Sequence, residues 1–199
     1  MAYSDFTLAK LRIQHSIEQK AVQLFNGEIT PSQPSQHLLD DIAYAESSPL
    51  STEKAKSELI ITPILRELHR LHYRQFKIFS GYSLNVVESK GLNGVCDYLL
   101  TKKADIVEPE APIFCLVEAK NGVIEEGYGQ CAAEMLAARI FNEQDGEAID
   151  IIYGCVTNGF EWVFLKLEGD TVYIDTQRYL LNDLHKVLGV LSYIIKSYQ

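Results

Sequence analysis

The alternation of helical and strand patterns along this sequence predicts an α/β domain, and three observations carry that reading. Two apolar strand patterns, Gly94 to Thr101 and Pro112 to Ala119, lie near its centre and are joined by a polar connection. Helical patterns stand on either side of them, Thr52 to Leu71 before and Tyr128 to Phe141 after. Further strand patterns and a closing helix follow, an order expected of a sheet covered by helices.

The composition suits one soluble globular domain with an appendage: 199 residues, 47% hydrophobic and 23% charged. No apolar run approaches the roughly 18 residues that cross a bilayer, and the start MAYSDFTLAK lacks the apolar core of a signal peptide. A cytoplasmic chain with no membrane partner is therefore expected. Cys96, Cys115, Cys131 and Cys155 lie in apolar segments without Cys-x-x-Cys or zinc spacing, so they read as small reduced core residues. The net charge of -9 argues against a broadly basic nucleic-acid surface. It argues less against a metal-dependent site, which needs local acid.

Residues 1–50 read as an N-terminal helical arm on a main α/β domain of residues 51–199. Ile13, Ile17, Ala21, Leu24 and Phe25 share an arc of about 120° at the helical period, predicting a helix from Leu11 to Phe25 that Asn26-Gly27 stops. TPSQPSQ is a turn or short linker, after which Ser35 caps a helix through Ala45. Thr52 caps a longer helix whose apolar face is Ile61, Ile64, Leu65, Leu68 and Leu71. Pro63 either kinks it or opens a second piece capped by Thr62. If the helix is continuous, Glu58 lies about 80° from the centre of that face, where it either reaches the sheet or stays solvated. Arg66, Arg70, Arg74 and Lys77 form the most basic face, suited to a phosphate backbone or simply to water. Tyr82 to Val87 reads as a strand, with a turn at Lys90 to Asn93 before the central hairpin. Beyond the alanine-rich helix, Ile149 to Val156 and Trp162 to Leu167 form a hairpin about Thr157-Asn158-Gly159-Phe160. Val172 to Ile174 is a last strand, and Asn182 to Tyr198 a last helix.

Chemistry concentrates in the central hairpin. Alternation puts Glu118 and Lys120 on one strand face with Leu116 and Phe114, and Cys115, Val117 and Ala119 on the other. An antiparallel register with Leu99 opposite Leu116 sets Asp97 opposite Glu118 and Val95 opposite Lys120. Opposed residues have Cβ atoms about 4.5 to 5.5 Å apart, so two carboxylates and an ammonium meet at the hairpin's end. Paired carboxylates repel unless a cation separates them, and Mg²⁺ is commonly held by one or two. The lysine beside such an ion orients water and stabilises charge on phosphate. An acid-x-Lys triplet arises by chance about once or twice in such a chain, and Glu18-Gln19-Lys20 and Glu88-Ser89-Lys90 also match. Only Glu118 ends an apolar strand preceded by another with an isolated acid; the bland alternative is a surface ion pair. Gln130 and Glu134 share a face of the next helix, where Gln130 either approaches the site or is an ordinary first-turn residue.

This arrangement resembles the PD-(D/E)xK nuclease superfamily over roughly Ser57 to Ile174. Gly94-Val95-Cys96-Asp97 matches its first acidic motif and Val117-Glu118-Ala119-Lys120 its second. The Thr157-Asn158-Gly159 turn followed by Trp162 is similar to nuclease domains of type I restriction subunits. The resemblance implies a restriction endonuclease-like mixed sheet flanked by helices and a hydrolase cutting phosphodiester bonds, most naturally DNA. It implies Mg²⁺ or Mn²⁺ held by Asp97 and Glu118, with Glu58 as a helix-borne acid, Lys120 as the catalytic lysine and Gln130 beside it. In members with Gln-x-x-x-Tyr, the second position is tyrosine, whereas here it is Glu134. Members often pair as homodimers to cut two strands. Others have lost catalysis, so the alternative is a silent nuclease-like module binding a protein or nucleic-acid partner.

Overall fold

The structure, a computed structural model, describes residues 2–27 and 29–198. Eight strands among the described residues form one open mixed sheet: β1 (Glu18–Val22), β2 (Lys77–Ser83), β3 (Val95–Thr101), β4 (Ile113–Ala119), β5 (Ile151–Thr157), β6 (Glu161–Glu168), β7 (Thr171–Asp175) and β8 (Tyr179–Leu180). Their order is β1-β7-β6-β5-β4-β3-β2, with β8 pairing β6. The β1–β7 and β4–β5 pairs are parallel and the rest antiparallel.

Helices cover both faces. α1 (Leu8–His15) and α5 (Tyr128–Gln144) pack on one, over a core containing Leu11, Leu99, Leu116, Cys131, Met135 and Leu165. The opposite face carries α2 (Gln36–Glu46), α4 (Thr62–Leu71) and α6 (Leu184–Lys196), over Leu38, Ile64, Leu68, Phe114, Trp162 and Leu191. The link β4-α5-β5 joins two parallel neighbours, so it must cross over the sheet, and α5 spans that crossing. α5 is consequently aimed away from the end of β4, where Glu118 and Lys120 lie. The four cysteines are buried and unpaired with one another. No helix among the described residues is long and apolar enough to cross a membrane.

The N-terminal segment departs from the expected helix over Leu11 to Phe25. α1 ends at His15, because Ser16 adopts a left-handed conformation (φ 58°) and its N–H closes on Arg12 and Leu11 carbonyls. The chain then enters β1, parallel to β7, with Glu18 opposite Thr171 and Val22 opposite Asp175. The first fifty residues thus contribute a sheet strand as well as helices. Tyr3 and Phe6 are buried, and Tyr3 donates its hydroxyl to Leu84 O at 2.6 Å. α5 admits this segment through Gly129, where an added Cβ would lie 2.4 Å from Phe6 O and 2.5 Å from Thr7 Cα.

Ser35 and Thr52 cap their helices as expected, accepting from Leu38 N and Ala55 N. Pro63 falls in the first turn of a second helical piece, Thr62–Leu71, but Thr62 does not cap it, and no side chain does. α3 (Glu53–Lys56) runs into a π turn, Ser57–Ile61, and then into α4. The Thr62 N–H reaches back to Ser57 O, so the register shift falls just before the proline, which has no N–H to offer. The strand expected at Tyr82 to Val87 begins earlier, at Lys77. It ends at Ser83, with Gly81 at φ 63° unpaired in its register with β3, and Val87 pairs only in an isolated bridge to Leu92.

The hairpin register is as expected where it matters: Leu99 faces Leu116 and Tyr98 faces Val117. Phe114 does not follow Leu116 to its face. The register slips between Leu100 and Thr101, leaving Phe114 as an extra residue on β4, and its ring packs against Phe76 and Tyr198 on the opposite face. At this same end of β4, fully buried Asn142 on α5 accepts from Ile113 N and donates to Ile113 O, each at 2.8 Å. Asn142→Leu strands both backbone groups and is expected to cost about 2 to 5 kcal/mol. Urea unfolding measures it, and a loss below about 1 kcal/mol would mean that Ile113 finds other partners.

Candidate active site

Three of the sequence-predicted residues meet at the end of the hairpin, and Gln130 joins them from α5. Asp97 precedes Tyr98 by one, so continuing the Tyr98–Val117 pairing sets it opposite Glu118. Its Oδ2 accepts the Ala119 N–H at 2.8 Å, fixing the carboxylate across the two strands. Glu118 is buried, 1% exposed. Its Oε1 accepts from Lys120 Nζ at 2.5 Å, and Lys120 Nζ also donates to Gln130 Oε1 at 3.1 Å. Gln130 Nε2 donates onward to Glu134 Oε1 at 3.1 Å. The Lys120 backbone is held as well, its N–H bonding Thr157 O at 2.8 Å.

Burial, then the charge of Asp97, pushes the Glu118 carboxyl up to about 7 despite Lys120 beside it. Burial likewise raises Asp97, while the Ala119 N–H and Lys120 oppose the rise. Burial works to lower the Lys120 ammonium, but the charge of Glu118 and its hydrogen bond outweigh it and keep it above lysine's ordinary range. Glu134, fully buried, is raised well above a normal carboxyl by burial and then by Glu118. Glu118 Oε2 and Glu134 Oε2 are both buried without a hydrogen-bond partner.

Glu58 does not join this group. It is exposed on the π turn and pairs with Lys54 at 2.8 Å. The expected angle assumed an unbroken 3.6-residue period, and the π turn inserts a residue that changes the phase. Glu53 and Ser57 instead line, with Ser80, Gly81, Asp97 and Tyr98, a cleft of about 210 Å³ beside the hairpin end. Glu53 was recoverable only by knowing the π turn. Glu134 carried a signal, its i,i+4 spacing from Gln130, but a glutamate is ordinarily a surface residue and nothing in the spacing marks it as buried.

Next to the site, Lys56 Nζ donates to Asn121 O and lies 5.8 Å from the centre of the Phe160 ring, which is 40% exposed. Asn158 holds that turn, accepting from Phe160 N and Glu161 N and donating to Gly122 O. The more distant basic face is partly neutralised, since Arg70 forms a two-pronged pair with Glu67.

The donor set suits a hard divalent cation: carboxylates with no imidazole or thiolate ligand. Glu118 Oε2, buried with no hydrogen-bond donor on it, is a group a cation would satisfy. Among the described residues no three His, Cys, Asp or Glu side chains form a metal-holding group. The protein's share of a coordination shell would therefore come from Asp97 and Glu118, with water and phosphate oxygens supplying the rest. No protein-family model, curated protein or solved structure matches this chain.

Proposed function

We propose that this chain is a restriction endonuclease-like nuclease that hydrolyses phosphodiester bonds, most naturally in DNA, with Mg²⁺ or Mn²⁺. The observation that carries the reading is the convergence of Asp97, Glu118 and Lys120 at one end of the hairpin beside an open cleft.

Asp97 and Glu118 are the residues that would hold the ion, Asp97 from the cleft side and Glu118 from within. Once bound, the cation supplies Lewis acidity toward a phosphate oxygen. The chain's own residues do the rest. Lys120 stays protonated, so it offers positive charge where the phosphorane-like transition state gathers negative charge. Its N–H groups also orient the attacking water. That water's oxygen bonds to phosphorus as the bond to the leaving oxygen breaks; the water gives up one proton to solvent and the leaving oxygen takes one up from solvent. Gln130 holds the ammonium from its other side and limits its travel. The Phe160 ring, 40% exposed with the buried Lys56 ammonium beside it, offers a stacking face to the rest of the nucleotide chain.

Calorimetric titration of Mg²⁺ and Mn²⁺, with a non-hydrolysable phosphorothioate oligonucleotide present to complete the shell, tests the ion site. Natural protein is expected to bind and Asp97→Ala to lose binding by about 10-fold or more. Lys120→Met is expected to keep ion binding and lose cleavage of labelled single- and double-stranded DNA by about 10²- to 10³-fold. Unchanged cleavage in Lys120→Met would overturn the catalytic reading. Ion and oligonucleotide binding with no cleavage by the natural protein would favour the silent module, to which the double tie on Lys120 is equally suited.

A further inference from the structure

We propose that Glu134 is a positioning residue that fixes the Gln130 amide and, through it, holds the Lys120 ammonium against Glu118. The inference rests on the nuclease reading for its consequence in catalysis, but its structural core is independent of any activity.

The direction of the chain of bonds follows from donor chemistry. A lysine ammonium has three N–H donors and no acceptor, so the Gln130 atom that it meets at 3.1 Å must be the amide oxygen. Gln130 then necessarily turns its NH₂ the other way, where it needs an acceptor. Glu134 Oε1 is that acceptor at 3.1 Å, one helical turn further along α5. With a side chain at 134 that lacked an acceptor, the amide NH₂ would be left unpaired there, and the side chain would gain by swinging toward another acceptor and releasing Lys120.

Burial gives the second reason. Glu134 is 0% exposed and surrounded on α5 by Cys131, Ala133, Met135 and Ala138, all buried. A carboxyl there is costly, and an apolar side chain of similar size would fill the space at lower cost. What the carboxyl provides toward α5 is acceptance of the Gln130 N–H, beside its contact with the Glu118 carboxyl. The tether also restricts Lys120 without exhausting it. Glu118 and Gln130 use two of its three donors, and the side chain remains 21% exposed, leaving the third for a ligand that reaches it from solvent.

Two variants of the full chain separate acceptor from bulk. Glu134→Leu keeps much of the volume and removes the acceptor, whereas Glu134→Gln keeps an acceptor oxygen and removes the ionisable carboxyl. The readout that needs no substrate is the Lys120 Nζ resonance in lysine-labelled protein, assigned by its loss in Lys120→Met. In Glu134→Leu that resonance is expected to move and its N–H exchange with water to accelerate by about 10-fold or more, and Glu134→Gln to restore most of the natural behaviour. With a cleavable substrate, Glu134→Leu should lower kcat by about 10- to 100-fold with little change in KM, and Glu134→Gln should recover most of it. Gln130→Met, which breaks the chain one link later, should reproduce Glu134→Leu and serves if that variant does not fold. A Lys120 resonance unmoved in both Glu134→Leu and Gln130→Met would overturn the proposal, even if the protein proved to be a nuclease. Failure of Glu134→Gln to restore it would overturn the acceptor role specifically. A moved and restored resonance in a protein that cuts nothing would sustain the positioning role and count against the nuclease reading instead.

Discussion

Glu118→Gln is expected to make the protein more stable near neutral pH while removing cation binding and cleavage. The sign follows from linkage. The Glu118 carboxyl is raised from 4.5 to about 7 in the folded protein, so between those values the folded state keeps a proton that the unfolded chain has released. Stability contributed by this group is full below about pH 4.5, falls as pH rises through the window, and levels off above about pH 7. At about 1.4 kcal/mol per unit the whole effect is on the order of 3 kcal/mol, shared with the neighbouring acids. Asp97 and Glu134 are raised too and add to the same slope. His15 and His72, lowered by burial, work the other way, their stability rising as pH climbs past the imidazole range. Glu67, held down to about 2 by Arg70, gives stability that is lost only as pH falls through its own value, outside the window.

Urea midpoints of the natural protein should therefore fall between about pH 5 and pH 8, and those of Glu118→Gln should fall less. At about pH 8 the variant should be more stable by about 1 to 3 kcal/mol, and cleavage should drop by about 10³-fold. A variant less stable at that pH would mean that the ion pair with Lys120 outweighs the cost of burying the carboxylate, contrary to its raised pKa. The expected trade of stability for function follows from an acid kept where only a cation rewards its charge.

The β3–β4 register was legible because each strand is apolar with acids only near one end, and a one-residue slip would have put Leu99 opposite a different face. The slip at Phe114 was not, since a bulge changes pairing without changing composition. β1 was hidden for a different reason. EQKAV is an edge strand with four of its five residues exposed, so it has no alternation to detect, and its partner β7 is more than a hundred residues away. Glu58 was misplaced because the residue inserted at the π turn breaks the 3.6-residue phase on which its angle rested. Asn142 left no trace at all, since a polar residue in a helix is ordinarily solvated and its two bonds to Ile113 exist only once the sheet has formed. Local pattern thus located Asp97, Glu118, Lys120 and Gln130, and tertiary packing decided which acid sits beside them.

Trp162→Ala should lower stability by about 3 to 5 kcal/mol. The ring is fully buried against the helices of the α4 and α6 face, and Nε1 donates to Gly159 O at 3.2 Å. Its backbone lies opposite Thr157 in β5 and Tyr179 in β8, so it supports the turn from both sides. Thr157 O in turn receives the Lys120 N–H, which makes Trp162 the base on which the site's lysine rests. Trp162→Phe retains most of the packing and gives up the indole bond, at a cost of about 1 kcal/mol for the lost hydrogen bond plus that of the smaller ring. Circular dichroism is the suitable probe, because the chain has one tryptophan and both variants lose its fluorescence. If Trp162→Ala also weakens cation binding in solutions where it remains folded, the turn transmits its support to Lys120. Equal losses for Ala and Phe would instead assign the stability to the Gly159 bond and deny the packing role.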